Sequence, residues 1–483
     1  MSESLLGFVF KDKDILKRIL VTLLAVVFAR LIYFLPAPGI SLRAVFQFYD
    51  QYIHAQGGGL FDLVALLHAG KLRGISVFAL GIMPYINACV IIQLIGYWVP
   101  GVNKKFFDEN SGRKKMLMAT LVTAIVLSMM HAYSISSELE LVDKFPDFKI
   151  LSINGLGFKL ALMASMSAAC VFLVALSRVI NRFGIGNGLG VIFASEVLVR
   201  LGLGFSRLVQ FYVYGAISSR QILMFLLVFM IFIYFVRAAT VYVKKLSLKT
   251  HTGEEFTISV RPYWVGVWPL IIAELFLSFF KISLDWTSFI IICFVIAFFA
   301  LAYVKVVYQP RWFYELILPY ECITCDEKKQ RLIDVLNNTV FPCTGFAFVL
   351  LLLLYYFPVV LPFALKVSFV SSGIFGAFGV IVLIGVCYDI FRQIEFFRKI
   401  RQYKDVKKWS LLIIARDESE AEVKKACLVS HGIITEVKPS HFIWGLPVRT
   451  AASGYYVFVP HEKIKEAAQI LKELKNAWTA KAI

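Results

Sequence analysis

Glu274, Glu196 and Arg30 stand inside long apolar runs. Ionisable groups are costly in hydrocarbon, so each is a functional candidate, with an ion pair that packs helices as the plainer role. Cys322-Ile-Thr-Cys325 is the only close pair among eight cysteines. A tetrahedral zinc site needs a second pair of ligands, so these two read as reduced loop thiols. "GIGNGLG", from Gly184 to Gly190, has the outline of a dinucleotide fingerprint. That fingerprint follows a strand inside a βαβ unit, whereas this run joins two apolar segments, so a sharp turn and close helix packing is the better reading. No nucleophile with a base beside it, no metal-ligand spacing and no nucleotide loop can be found. Neither an enzyme nor a bound cofactor is expected. The stretch "FALGIMPYINACVIIQLI" (78–95) is apolar enough to cross a membrane, yet it carries Gly81, Pro84 and Asn87.

The elements that would hold these residues are membrane helices. Of 483 residues 59% are hydrophobic and 17% charged, and the mean hydropathy is +0.75. A soluble chain carries about 25% charged residues, so most of this one belongs in lipid. Apolar runs of spanning length lie near 19–38, 75–99, 116–135, 158–180, 186–203, 221–243, 264–282, 287–308, 338–357 and 368–390. The net charge of +18 gathers in alternate loops and in a basic stretch from Arg392 to Lys408. The positive-inside rule then puts both termini in the cytoplasm. No continuous basic face with interleaved aromatics supports sequence-specific nucleic-acid binding. Lys11, Lys13, Lys17 and Arg18 precede a first apolar run too long for a cleavable signal peptide. The short apolar stretch within "GGGLFDLVALLHAG" (57–70) cannot span a bilayer and can enter it only if protein or water surrounds its ends. "KKLSLKTHTGEEFTISVRPYW" alternates apolar and polar residues around Thr252-Gly253, which predicts a β-hairpin standing off the membrane. After residue 408 the pattern predicts strand, helix, strand, strand, helix, with Gly432 closing the first helix: a soluble α+β domain over 408–483.

Five segments stand in the order and spacing of a known family: "FLPAPGI" (34–40), "VFALGIMPYINACVIIQLI" (77–95), "GRKK" (112–115), "GIGNGLG" (184–190) and "VWPLI" (267–271). Through them the chain resembles the SecY family, the central subunits of the bacterial Sec protein-conducting channel and their Sec61-alpha relatives. The match covers about residues 10–400. It implies an all-α polytopic fold of about ten spans, in two pseudo-symmetric halves around an hourglass pore, over residues 1–400. The resemblance carries a pore ring onto Ile82, Ile86, Leu189, Phe193, Ile271 and Val382, with Gly81 and Pro84 bending the second span at the waist. It puts Asn87, Thr120, Thr123 and Glu274 at a polar lateral gate. The plug would lie at about 59–72, with Leu60, Phe61, Leu63, Val64, Leu66 and Leu67. Lys244, Lys245, Lys249, Arg311, Lys328, Lys329 and Arg331 fall on the cytoplasmic loops that engage partners.

The function implied is passage of unfolded preproteins across the bacterial cytoplasmic membrane, with lateral release of transmembrane segments into lipid. The implied partners are SecE-like and SecG-like membrane subunits, the SecA motor, the ribosome and preprotein signal sequences. The sequence also departs from the family. Thr324 stands where an arginine is usual, and "VINRF" precedes the glycine run where the family reads close to "ITERG". The tail resembles a small DUF2007-type domain through "ACLVSHGI" and "YYVFVPHEKIKEAAQIL". Two alternatives stay open: a secondary transporter of a small solute, and a specialised paralogue with a narrow substrate set.

Overall fold

The computed structural model describes residues 12–41, 76–99, 111–142, 151–215, 217–241, 244–249, 255–260, 290–291, 293–298, 348–353, 377–403, 408–415, 418–440 and 454–481, with a few isolated positions besides. Six helices come first: α1 (Lys13–Ile32), α2 (Met83–Trp98), α3 (Ser111–Val142), α4 (Leu156–Phe183), α5 (Gly188–Val213) and α6 (Ser219–Val241). The antiparallel hairpin of β1 (Lys244–Lys249) and β2 (Glu255–Val260) follows, in the register Lys244 to Val260. It stands where the alternation predicted it. Helix α7 (Ala377–Gln402) leads into β3 (Trp409–Ala415), α8 (Glu418–Ser430), β4 (Glu436–Ser440), β5 (Gly454–Pro460) and α9 (Ile464–Lys481). Among the described residues, the stretches 114–140, 156–183, 188–213 and 219–238 are helical, long and apolar enough to cross a membrane.

Inter-residue contacts divide the chain into two compact units, one of residues 17–229 with 358–383, the other of 1–16, 230–357 and 384–483. In the first, α2 packs along α3, α3 along α4 and α4 along α5. The "FLPAPGI" segment does not continue α1 as the run 19–38 suggested. The helix ends at Ile32, because Pro36 and Pro38 lack the N–H that further turns require. Pro36 instead bridges Ser76, and Ile40 bridges Leu151. Gly39, at φ +81, lies against the Phe158 ring, where a side chain would not fit. Ala37 and Ile40 thereby join a core with Ala132, Leu139, Leu151, Phe158, Leu162 and Met166.

In the second unit the tail forms a three-stranded antiparallel sheet of order β3-β5-β4. Strand β5 lies between two strands that a helix connects, a split βαβ arrangement. Ala415, Ala421, Leu428, Ile433, Tyr455, Val457, Val459 and Ala467 make its core. Gly432, at φ +74, ends α8, and Ile433 N–H turns back to Leu428 O at 2.9 Å. The basic stretch 392–408 is largely helical, since α7 runs to Gln402 rather than stopping near 390. Phe396 packs on Phe458 (5.4 Å between centroids), Lys438 Nζ lies 5.4 Å from the Phe397 ring centre, and Tyr403 meets Trp409 edge-on. The Tyr403 hydroxyl donates to Glu436 Oε1 at 3.2 Å, and Lys425 pairs with the same carboxylate at 3.2 Å. Helix α8 also lies alongside β2.

Candidate pore and gate residues

Gly81 and Pro84 begin α2 rather than bend it, which corrects the expectation of a kinked span. Residues 76–82 form a turn: Phe78 N–H donates to Ser76 Oγ at 3.1 Å, and Gly81 N–H to Phe78 O at 2.8 Å. Gly81 takes φ +58, a backbone state that strains any residue with a Cβ. Ile82 caps the helix and Pro84 falls in its first turn, where a missing N–H costs nothing. Ile82 and Ile86 are fully buried and share one helical face at i,i+4.

Leu189 and Phe193 repeat that spacing on α5, and both are buried. Their helix starts on the glycine run. The Asn187 side chain accepts from Leu189 N–H at 3.1 Å, and Asn181 Oδ1 from Gly188 N–H at 2.7 Å. A Cβ on Gly188 would overlap the Ser177 backbone, and one on Gly184 would overlap the Thr22 hydroxyl. Thr22 Oγ1 itself accepts from Ile185 N–H at 2.8 Å. The run is a tight turn with close helix packing, as the sequence predicted, and not a phosphate cradle. Val382, one turn into α7, is fully buried. On the same face, Gly379 meets Val197 of α5, 2.7 Å from where its Cβ would stand.

Asn87 is buried on α2, and its Oδ1 has no hydrogen-bond partner among the described residues. Thr120, buried on α3, donates to Met116 O of its own helix at 2.8 Å. Thr123 is half-buried. The helices are neighbours, yet no hydrogen bond joins Asn87 to Thr120. Lys244, Lys245 and Lys249 lie on β1. Ile271, Glu274, Arg311, Lys328, Lys329, Arg331 and the plug residues Leu60, Phe61, Leu63, Val64, Leu66 and Leu67 lie outside the described residues.

The buried ion cluster is a feature that sequence reasoning only half found. It named Arg30 and Glu196 as candidates but not their pairing, and it missed Tyr33. The Tyr33 hydroxyl donates to Glu196 Oε1, Arg30 Nη2 lies 3.8 Å from the same oxygen, and the guanidinium stacks 4.2 Å from the centre of the Tyr33 ring. Tyr33 and Glu196 are buried. The i,i+3 spacing of Arg30 and Tyr33 was a signal available in the sequence.

Four apolar helices of spanning length among the described residues define a polytopic membrane protein. A family model described as SecY matches residues 76–391, which is well over half of the chain, and the chain belongs to the SecY family. It is 24% identical to the protein translocase subunit SecY of Thermotoga maritima over 425 residues, covering 82% of this chain and 95% of that one. The Escherichia coli subunit is 30% identical over 189 residues, which are 39% of this chain and 41% of that one. Among solved structures, a SecY protein from a study of its plug domain aligns at a TM-score of 0.52 and 12% identity. The Sec61 of a canine ribosome–channel complex aligns at 0.51 and 11%. Each alignment covers 84% of this chain and 99% of the other, and shows the shared fold.

Proposed function

We propose that this chain is the central pore-forming subunit of a Sec translocon, passing unfolded preproteins across a membrane and releasing apolar segments sideways into lipid. The observation that carries it is the buried aliphatic set of Ile82, Ile86, Leu189, Phe193 and Val382, drawn from three helices of a SecY-family fold. A waist built this way excludes water and ions by dewetting, and its branched side chains give way around a passing chain. Ile271 would complete the ring, Asn87, Thr120, Thr123 and Glu274 would poise the lateral gate, and residues 59–72 would plug the pore from outside. Such a subunit has no chemistry of its own. Its energy would come from a SecA-like motor or a translating ribosome, with SecE-like and SecG-like subunits beside it in the bacterial cytoplasmic membrane. The tail from 408 to 483 would form a separate cytoplasmic domain of the DUF2007 type that modulates partner engagement. A solute transporter is not favoured, because the chain belongs to the SecY family, whose curated relatives are protein translocase subunits.

Replacing Ile86 with Asn tests the waist. An amide there holds water that an aliphatic excludes, a difference of roughly a few kcal/mol. The variant should leak ions at rest and export a reporter whose signal sequence is defective. Wild-type conductance together with wild-type signal selection would remove the pore assignment.

A further inference from the structure

A carboxylate and a guanidinium are held together beside the proposed waist, where hydrocarbon makes unpaired charge expensive. Glu196 follows Leu189 and Phe193 at i+7 and i+3, so it extends the face of α5 that carries the two proposed ring residues. Its carboxylate oxygens and the Tyr33 hydroxyl occupy the space where a Cβ of Gly81 would stand. Gly81 immediately precedes Ile82, the first ring residue on α2. The glycine and its left-handed backbone therefore let the carboxylate lie against the turn that aims Ile82. Arg30, in the last turn of α1, and Tyr33, just past its end, hold the carboxylate from the other side. Arg30 Nε and Nη2 have no hydrogen bond among the described residues, so charge attraction and the Tyr33 ring fix the guanidinium. Three separate segments meet at one carboxylate.

We infer that Glu196 is a positioning residue of the channel. Held by Tyr33 and Arg30, it braces α5 against the turn before α2 and so keeps the waist narrow at rest. This inference rests on the pore reading above. A buried pair of this kind is weak evidence for stability, since an apolar replacement often serves as well. Its better-attested use is fixing one arrangement among several, which is what a resting channel requires. Removing the charge would let the turn and α5 shift apart, shifting the population of channels toward a wetted waist.

The test uses the full chain in membranes and compares Glu196→Gln, Tyr33→Phe and Ile86→Asn. Amounts of each protein are measured alongside resting ion conductance and export of a signal-defective reporter. Glu196→Gln keeps the shape and an acceptor for Tyr33 but loses the attraction to Arg30. It should raise conductance by about tenfold or more, the consequence of losing one charge-assisted interaction in a two-state balance. Tyr33→Phe removes one hydroxyl and should shift both readouts in the same direction by less. A packing role would lower protein amount without raising conductance or export per channel. If Ile86→Asn leaks while both cluster variants match wild type per channel, the brace is wrong and the pore reading stands. If Ile86→Asn is also silent, the pore reading falls and the brace falls with it. Should Glu196→Gln fail to accumulate, Tyr33→Phe decides the matter alone.

Discussion

At the residue scale, small groups at helix crossings matter as much as the aliphatics they position. Gly188 touches the Ser177 backbone, and neither peptide can move aside without displacing a helix. Gly188→Ala should therefore lower the thermal stability of the detergent-solubilised protein, with a cost of about 1–3 kcal/mol from overpacking. Gly202 has open space around the position of a Cβ, so Gly202→Ala is the matched control and should not destabilise. A pair of indistinguishable melting curves would show that Gly188 does not set the packing of α5 on α4. Cys427 offers a residue-scale check on the tail. Burial pushes its thiol up to about 11. At pH 8 only ~0.1% of it would be thiolate, so alkylation should be far slower than in the urea-unfolded protein, whose thiol returns to about 8.5. Equal rates would mean that α8 is not packed on the sheet.

At the scale of elements, α7 does two jobs along one continuous helix. Its first turns carry Val382, its last turns carry the Phe396 and Phe397 contacts to the tail sheet, and Tyr403 adds a contact just past its end. A tail on a loose linker would be cut readily between 392 and 408. A tail packed on α7 should resist cleavage through 392–402, and Phe396→Ala should expose that stretch to protease. Undiminished resistance in Phe396→Ala would count against the packed arrangement. The pH response of this contact has a definite sign. Burial first, and then the Glu436 carboxylate, push the Tyr403 phenol above its usual value. A group with a raised folded-state pKa contributes its full stabilisation below the unfolded value, about 10 for tyrosine, and loses it as pH rises through the folded value. Docking should therefore hold across neutral pH and loosen only in alkali.

At the scale of the whole molecule, sidedness is the prediction that matters. Basic residues crowd 101–115 and 392–408, and positive loops stay in the cytoplasm. Reporter tags placed within 101–114 or after 408 should be protected from external protease, while tags near 140 or 360 should be reached once the outer envelope is opened. Protection of a tag near 140 would invert the topology. Deleting the tail from 408 onward should leave membrane insertion intact, though it uncovers Phe396, Phe397 and Tyr403. A truncated chain that fails to accumulate would make the tail structural.

The sequence alone determined what local chemistry and composition decide. Apolar length named the spans near 116–135, 158–180, 186–203 and 221–243, alternation around Thr252-Gly253 named the hairpin, and the pattern after 408 named the strand and helix order of the tail, because each depends only on neighbours along the chain. Family membership was legible in "VFALGIMPYINACVIIQLI" and the segments around it. The tertiary structure decided matters that depend on partners far along the chain. It showed that Gly81 and Pro84 start a helix instead of kinking one, since Ser76 and Pro36 pair across a gap of 40 positions that no local pattern reveals. It showed that basic residues after 391 continue α7, because the tail sheet supplies an apolar surface for Phe396 to bury against. It also joined Arg30 and Tyr33 to Glu196 across a separation of 163 residues for the tyrosine pair. A charge in an apolar run announces a cost; only the fold shows which group offsets it.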